Sequence, residues 1–238
     1  MSTTRGTESL KNKCRLGGMA YVDFIMKLHR STPRDYVRRV MEHDKAQCAA
    51  VACQFGKDYW DGERHFGYGG YHYDGRWRPV AEAMARHYRL QPDARILDVG
   101  CGKGFLLYEF TQVIPGAEVA GIDISQYALD HAKEEVRQNL RVGRAERLSF
   151  PDRSFDFVVS VNTLHNLFNY ELWPALREIE RVARGPKHVV IESYRNEREK
   201  VNLLYWQLTC RAFHTPEEWE WLFEQAGYTG DYSYIAFE

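Results

Sequence analysis

The sequence lacks two features that would direct a protein to a membrane or out of the cell. No apolar run approaches a membrane span, which needs about 18 consecutive apolar residues. The first eighteen residues, MSTTRGTESLKNKCRLGG, are polar and contain no apolar stretch typical of a secretory leader. We therefore expect a cytoplasmic protein that does not act in a membrane.

The sequence also lacks the cysteine and histidine spacings of disulfide frameworks and metal sites, and it lacks an excess of positive charge. The five cysteines include no C-x-x-C pair, and the nine histidines include no H-x-x-x-H or H-E-x-x-H spacing. Reduced thiols and no metal site are the expectation. The formal net charge of −1 gives no electrostatic reason to expect a nucleic-acid partner.

What is present, from Pro79 onward, is an alternation of apolar strand segments with helical segments. Strands are predicted at residues 95–99, 118–123, 140–144, 155–161 and 188–193, and the tail DYSYIAF is predicted as an edge strand. This alternation predicts a doubly wound α/β fold with a mostly parallel sheet. Ligands of such sheets bind at the carboxyl ends of the strands.

The first third of the chain has a different character. Residues 1–60 carry partly helical apolar spacing, and YWDGERHFGYGGYHYDGRW combines glycines with many aromatic residues. So many aromatic side chains are expected in an ordered loop rather than in water. We predict a helical cap with an aromatic lid over residues 1–78 and a ligand-binding domain over residues 79–238.

The segment ILDVGCGKGF contains three glycines at alternate positions directly after a predicted strand. Such a turn brings backbone amides close to a ligand. The third glycine comes one residue too early for a dinucleotide fingerprint, and the P-loop pattern is absent. Asp123 ends the second strand, where its carboxylate can accept hydrogen bonds from both hydroxyls of a ribose. An adenosyl ligand is indicated, although a nicotinamide-dependent oxidoreductase and a catalytically silent binding protein stay open.

Three segments in order, ILDVGCGKGF, VAGIDIS and AERLSFPDRSFDFVVSVNTLHNL, resemble the motifs of class I S-adenosylmethionine-dependent methyltransferases. The resemblance covers roughly residues 88–230. It implies a Rossmann-like, seven-stranded sheet with the order 3-2-1-4-5-7-6 and an antiparallel last strand. It also implies S-adenosylmethionine as methyl donor and S-adenosylhomocysteine as product.

The resemblance assigns donor-binding roles to individual positions. Asp98 and the turn with Gly100, Cys101 and Gly102 would hold the methionine part. Asp123 would bind the ribose, Ile124 would pack on the adenine, Ala145 would offer its backbone amide, and Asn162 would lie under the sulfonium. Arg144 stands where many relatives carry an aspartate for the adenine amino group. Glu146 or the backbone would have to take that contact.

Methyl transfer from a sulfonium mainly requires an in-line arrangement of acceptor and methyl group. A hydroxyl acceptor also needs a base, and His165 is the candidate because an imidazole titrates near neutral pH; the alternative is that His165 packs beside the donor or orients the acceptor. Tyr68, Tyr71, Tyr73 and Tyr194 are candidate acceptor contacts, although the three lid tyrosines could instead attach the cap to the sheet.

The acceptor class follows from weaker signals. The segments FGYGGYHYDGRW and IESYRNEREKVNLLYWQLTCRAFHTPEEW resemble a bacterial subgroup associated with small-molecule and surface-glycan modification. NTLHN stands where methyltransferases of DNA bases carry an N/D-P-P-Y motif. We therefore expect O-methylation of a small molecule or glycan, with N-methylation as the alternative.

Monomer and homodimer remain equally open. The basic residues of SYRNEREK alternate with glutamates and are interpreted as a solvated face.

Overall fold

A computed structural model describes residues 18–31 and 34–238 of the chain. The helices in this part are α1 (Met26–Arg30), α2 (Tyr36–Glu42), α3 (Lys45–Ala52), α4 (Lys57–Asp61), α5 (Arg78–Tyr88), α6 (Phe105–Val113), α7 (Gln126–Asp130), α8 (Glu134–Arg137), α9 (Asn169–Val182), α10 (Glu197–Trp206) and α11 (Pro216–Ala226). The strands are β1 (Arg95–Val99), β2 (Glu118–Asp123), β3 (Leu140–Val142), β4 (Phe157–Val161), β5 (Lys187–Glu192) and β6 (Asp231–Ile235).

The strands form one sheet with the order β3-β2-β1-β4-β5-β6, and every neighbouring pair is parallel. The predicted doubly wound α/β fold is therefore confirmed. Two details differ from the expectation, because the described residues form six strands instead of seven and the last one is parallel. Helices α10 and α11 lie between β5 and β6, so the chain crosses one face of the sheet and returns in the same direction.

The tail strand β6 is not left open at its outer edge. The backbone N–H of Val22 donates to the carbonyl of Tyr232 at 2.9 Å, and the N–H of Tyr232 donates to the carbonyl of Ala20 at 3.0 Å. An uncovered edge strand is prone to pair with other chains. The segment before α1 satisfies part of this edge.

Local sequence signals explain several element boundaries. The bounds of β1 and β2 agree with the sequence prediction, because nearly continuous apolar runs are typical of strands covered on both faces. Thr215 and Glu218 form a capping box before α11. Gly227 ends that helix in the left-handed region with φ of 73°, where glycine carries no steric cost.

The predicted cap corresponds in the described chain to α1–α4, followed by residues 62–77 without regular secondary structure. Residues 1–17 of the predicted cap, including Cys14, lie outside the described residues. The other four cysteines are free thiols. Within the described ranges, no helix is both long and apolar enough to cross a bilayer.

Candidate active site

A cavity of about 350 Å³ lies where the carboxyl ends of β1, β2 and β4 meet; we call it the first cavity. All nine residues predicted to bind the donor line it: Asp98, Gly100, Cys101, Gly102, Asp123, Ile124, Ala145, Glu146 and Asn162. Its volume falls in the range of small-molecule sites. The topology thus places residues from four separate chain segments around one space.

The glycine turn after β1 forms the floor of this cavity. Gly100 has φ of 87°, and a Cβ there would collide with the side chain of Thr163. The N–H of Gly102 donates to Asp123 Oδ2 at 2.7 Å, while the N–H of Ser125 donates to Oδ1 at 2.8 Å. Asp123 therefore joins the turn to the end of β2. Each carboxylate oxygen still has a lone pair for a ligand hydroxyl.

Three buried oxygen atoms in the lining have no hydrogen-bond partner within the part of the chain that the structure describes: Asp98 Oδ1, Asn162 Oδ1 and Asn166 Oδ1. Buried acceptors are normally paired, because an unpaired one costs free energy. Asn162 also has φ of 56°, a conformation that non-glycine residues rarely adopt and that is common at functional sites. These acceptors are suited to a ligand that brings donors or positive charge.

The carboxyl group of Asp98 has unusual acidity. Burial, together with the nearby charge of Asp123, raises its pKa to about 8. Without a ligand, Asp98 is therefore mostly protonated at neutral pH. A cation placed beside it would favour the ionised form.

Arg144 contacts two neighbouring carboxylates. Its Nη2 donates to Glu146 Oε1 at 2.7 Å and to Glu171 Oε1 at 2.8 Å. All three residues line the first cavity. The carboxylate of Glu146 is thus held in place by the guanidinium group rather than left free.

Aromatic side chains of the aromatic lid (residues 59–77) cover the glycine turn. Trp60 lies against Gly102 and donates from Nε1 to Ser125 Oγ at 2.9 Å. The Trp60 ring stacks on Tyr68 with centroids 5.3 Å apart, and Tyr71 stacks on Phe105 at 5.0 Å. Tyr68 and Tyr71, two of the predicted acceptor contacts, line the first cavity; their role stays a prediction.

A buried ion pair fastens the aromatic lid to the turn. Lys103 Nζ lies 2.7 Å from both carboxylate oxygens of Asp61 and also donates to the carbonyl of Tyr71 at 2.9 Å. Tyr127 donates to the same carboxylate at 2.9 Å. Burial acts against ionisation of Asp61, but the hydrogen bonds from Lys103 and Tyr127 leave its pKa below the ordinary value. The sequence prediction missed this pair.

Comparison with known proteins agrees with this geometry. A family model described as a methyltransferase domain matches residues 97–191, which include the glycine turn, Asp123 and Asn162. The uncharacterized methyltransferase sll0829 from Synechocystis sp. is 30% identical over 152 residues, covering 59% of this chain and 69% of that protein. The chain belongs to the class I S-adenosylmethionine-dependent methyltransferases.

Other methyltransferases match over shorter parts of their length. A demethylmenaquinone methyltransferase from Symbiobacterium thermophilum is 31% identical over 128 residues, covering 50% of this chain and 50% of that protein. The chain spans between about two fifths and one half of the length of some of its curated relatives. Protein BH2331 from Bacillus halodurans C-125 has the same fold, with a TM-score of 0.52, 22% identity and coverage of 62% of this chain and 68% of that one.

Three residues that were predicted for the acceptor side of this methyltransferase do not line the first cavity. Tyr73 donates to Glu109 Oε1 at 2.6 Å, and Tyr194 lies under the ammonium group of Lys200 at 5.2 Å. His165 is 2% exposed and accepts a hydrogen bond at Nδ1 from the N–H of Glu192 at 3.3 Å. Burial lowers the pKa of His165 to about 3. This position and acidity give no support to a role as catalytic base.

A second cavity, of about 630 Å³, shares Tyr59, Tyr68, Tyr71, Trp77 and Asn162 with the first. The two cavities therefore adjoin each other along this set of side chains. No cluster of three or more His, Cys, Asp or Glu side chains that could hold a metal occurs within the described residues.

Glu192, at the end of β5, lines the second cavity and was missed by the sequence prediction. Gln207 donates to its Oε1. Its Oε2 is buried and forms no hydrogen bond to any described residue, although His165 Nε2 lies 3.4 Å away. Burial raises the pKa of Glu192 to about 8. The only sequence signal was its position at the end of an apolar strand, HVVIE.

Proposed function

We propose that this protein transfers a methyl group from S-adenosylmethionine to an oxygen atom of a small-molecule or glycan acceptor. The observation that carries the proposal is the set of unpaired oxygens of Asp98, Asn162 and Asn166 around the first cavity, next to the carboxylate of Asp123. A cationic, hydroxyl-bearing donor supplies the charge and the hydrogen-bond donors that these atoms lack.

The residues of the first cavity fit the parts of such a donor. Asp98 would accept from the ammonium group of the methionine part, and Asp123 would accept from the ribose hydroxyls. Ile124, which is 50% exposed, offers an apolar surface for the adenine ring. Asn162 would direct its oxygen to the sulfonium. When bound, the donor supplies an activated methyl group, so transfer is a displacement at carbon and catalysis depends largely on alignment.

Glu192 is our proposed base in place of His165. A hydroxyl acceptor in the second cavity can donate to the unpaired Oε2 of Glu192, which then takes the proton as the methyl group is transferred. A carboxyl group with a pKa of about 8 is well matched to this role near neutral pH. A group suited to take a proton supports oxygen as the methylated atom, because a hydroxyl acceptor must lose its proton during the transfer.

The cap and the aromatic lid complete the proposed enzyme. Trp60, Tyr68 and Tyr71 cover the turn and would exclude water from the reacting atoms. The name of the demethylmenaquinone relative supports a small-molecule acceptor in general. We propose residues 1–78 as the part that shapes the acceptor space and residues 79–238 as the donor-binding domain.

The test is a labelling experiment. The purified protein is incubated with S-adenosylmethionine carrying a labelled methyl group and a metabolite-and-glycan extract of the source organism. Label that enters small molecules or glycans, bound through oxygen, would support the proposal. Label on nitrogen, protein or nucleic acid would overturn the acceptor assignment. Donor binding without any transfer would favour a silent binding protein, and preferential binding of a nicotinamide dinucleotide would overturn the donor.

A further inference from the structure

Three arginines of the cap gather on one side of the second cavity, around the ring of Trp206. The guanidinium carbons of Arg39, Arg64 and Arg34 lie 4.6, 5.3 and 5.4 Å from the centroid of this ring. All four residues line the second cavity. Stacking uses the faces of the guanidinium groups, so their N–H edges can contact other groups; those of Arg34 contact the carbonyl and Nδ1 of His29, both at 3.0 Å.

Two of these arginines are not neutralised by a carboxylate of the described chain. Arg39 and Arg64 form no ion pair within the described residues; Arg39 donates from Nη1 to the carbonyl of Arg64 at 3.3 Å, and Arg64 donates to the carbonyls of Gly67 and Tyr68. The Nε of Arg39 is buried and has no acceptor among the described residues. A buried N–H without an acceptor on a cationic group points to a missing anion.

The acids that line the second cavity do not balance this charge. Asp74 is paired with Arg76. Glu192 is mostly protonated at neutral pH, because burial raises its pKa to about 8. Burial and the charge of Arg64 lower the pKa of Arg39 to about 10, so Arg39 still carries its charge. The side of the second cavity formed by Arg34, Arg39, Arg64 and Trp206 is therefore strongly positive at neutral pH.

We infer that the acceptor of the methyl group carries a phosphoryl group, which binds to the guanidinium groups of Arg39 and Arg64 beside Trp206. This inference rests on the proposed function, since it names the substrate class of that site. Guanidinium groups bind phosphate through paired N–H···O bonds. A phosphoryl group presents three oxygens and up to two negative charges to several arginines at once, whereas a carboxylate presents two oxygens and one charge.

The arginines around Trp206 lie in a cavity that adjoins the proposed donor site. Asn162 and Tyr68 belong to both cavities, and Glu192 lies in the second. An acceptor held by its phosphoryl group at Trp206 can therefore reach toward the donor with another part of the molecule. The phosphoryl group serves as the handle and does not react.

The first experiment measures anion binding directly. Inorganic phosphate and acetate are titrated into the protein at constant ionic strength, and the dissociation constants are obtained from thermal shifts. We expect saturable binding of phosphate, at least tenfold weaker binding in Arg39→Gln and Arg64→Gln, and much weaker binding of acetate. Arg177→Gln is the matched control, because Arg177 stacks on Trp173 at 5.8 Å outside both cavities. Equal phosphate affinity in all four proteins, or equally strong acetate binding, would overturn the inference.

Donor affinity and methyl transfer separate this inference from the proposed function. S-adenosylmethionine affinity within twofold of the wild-type value in Arg64→Gln shows that this variant is folded with an intact first cavity. In the labelling experiment, phosphatase treatment of the extract before incubation should remove at least nine tenths of the transferred label. Undiminished labelling would overturn the phosphoryl handle while leaving the methyltransferase assignment intact. Absence of labelling in both extracts, despite phosphate binding, would overturn the proposed function instead.

Discussion

The carboxylate of Asp123 supports the backbone of the site and is also its proposed ribose ligand. It accepts from the N–H groups of Gly102 and Ser125. Asp123→Asn removes the charge and one acceptor oxygen while keeping the shape. We expect at least tenfold weaker binding of S-adenosylmethionine by calorimetry, because hydrogen bonds to a charged group contribute about 1.5–3 kcal/mol. The exposed Asp130→Asn should bind like the wild type; an equal loss in both variants would remove the ribose assignment.

Binding of the donor should be coupled to the ionisation of Asp98. Since burial raises the pKa of its carboxyl group to about 8, Asp98 holds a proton at pH 7 in the free protein. The cationic donor favours the carboxylate, so binding should release close to one proton. Calorimetric enthalpies in Tris and in PIPES should then differ at pH 7, and Asp98→Asn should remove the difference. Equal enthalpies for the wild type would contradict this assignment.

Glu192 should control how the rate depends on pH. A base works in its deprotonated form, so the turnover number should rise as the pH increases through about 8, the pKa that burial gives this group. Glu192→Gln should lower turnover on the order of 100-fold and abolish the rise, without changing donor affinity. Turnover is measured with the acceptor fraction found by labelling. The exposed Glu217→Gln is the control, and a rising profile in Glu192→Gln would exclude the base role.

His165 and Glu192 show which part of a site the sequence can predict. The sequence directs attention to the ends of β4 and β5, where His165 and Glu192 lie. It does not reveal side-chain direction, because residues 164–166 form a single 3₁₀ turn that brings the His165 ring against Glu192 instead of into the cavity. That the predicted donor residues line one cavity was easier to foresee, since most of them lie at or just after the carboxyl ends of strands.

At the level of elements, the attachment of the aromatic lid depends on the pair Asp61–Lys103, with side chains that are 16% and 4% exposed. Lys103→Met leaves the half-buried carboxylate of Asp61 without its counter-ion; the loss costs about 3–5 kcal/mol in fully buried pairs, and the partial exposure of Asp61 makes the expected cost smaller. We expect faster hydrogen exchange in residues 59–77 and at least tenfold weaker donor binding. The added Asp61→Asn change should restore part of the protection.

Lys57→Met is the control for this prediction, because it also replaces a lysine by methionine and Lys57 is an exposed residue of α4, the helix that contains Asp61. Unchanged exchange of the aromatic lid in Lys103→Met would show that the aromatic stacking of Trp60 and Tyr71 alone holds it. Lys103 and Asp61 lie far apart in the sequence and in different parts of the fold. For that reason, their pairing has no local sequence signal, unlike the strands, whose apolar pattern is local.

At the scale of the whole molecule, composition conceals local charge. A net charge of −1 gives no reason to expect a nucleic-acid partner and does not reveal where charges gather, yet Arg34, Arg39 and Arg64 meet at Trp206, a residue of a distant helix. The direction of β6 is a similar case, because the alternating tail predicts a strand but not its orientation. Both features arise from packing between distant segments. The fold class was predictable because it depends on the order of local elements.

Opposing groups should give the free protein a nearly constant stability between about pH 4.5 and 6.5 and a loss of stability above it. Burial raises the pKa of Asp98 and Glu192 to about 8, whereas carboxyl groups of the unfolded chain titrate near 4. The unfolded chain therefore loses protons that the folded chain keeps, and the contribution of these two groups to the free energy of unfolding falls as the pH rises from about 4 to about 8.

Two buried histidines act in the opposite direction. Burial lowers the pKa of His165 and of His188 to about 3, whereas unfolded histidine titrates near 6.5. The contribution of these histidines therefore falls as the pH drops below about 6.5 and opposes that of the two carboxyl groups, so that the net stability changes little between about pH 4.5 and 6.5 and falls above it. Urea unfolding in phosphate-free buffers should show a loss of a few kcal/mol between pH 6 and 8.5. The double variant Asp98→Asn, Glu192→Gln should lack most of that alkaline loss, and a wild-type stability that rises over this interval would show that neither carboxyl group is held protonated by the fold.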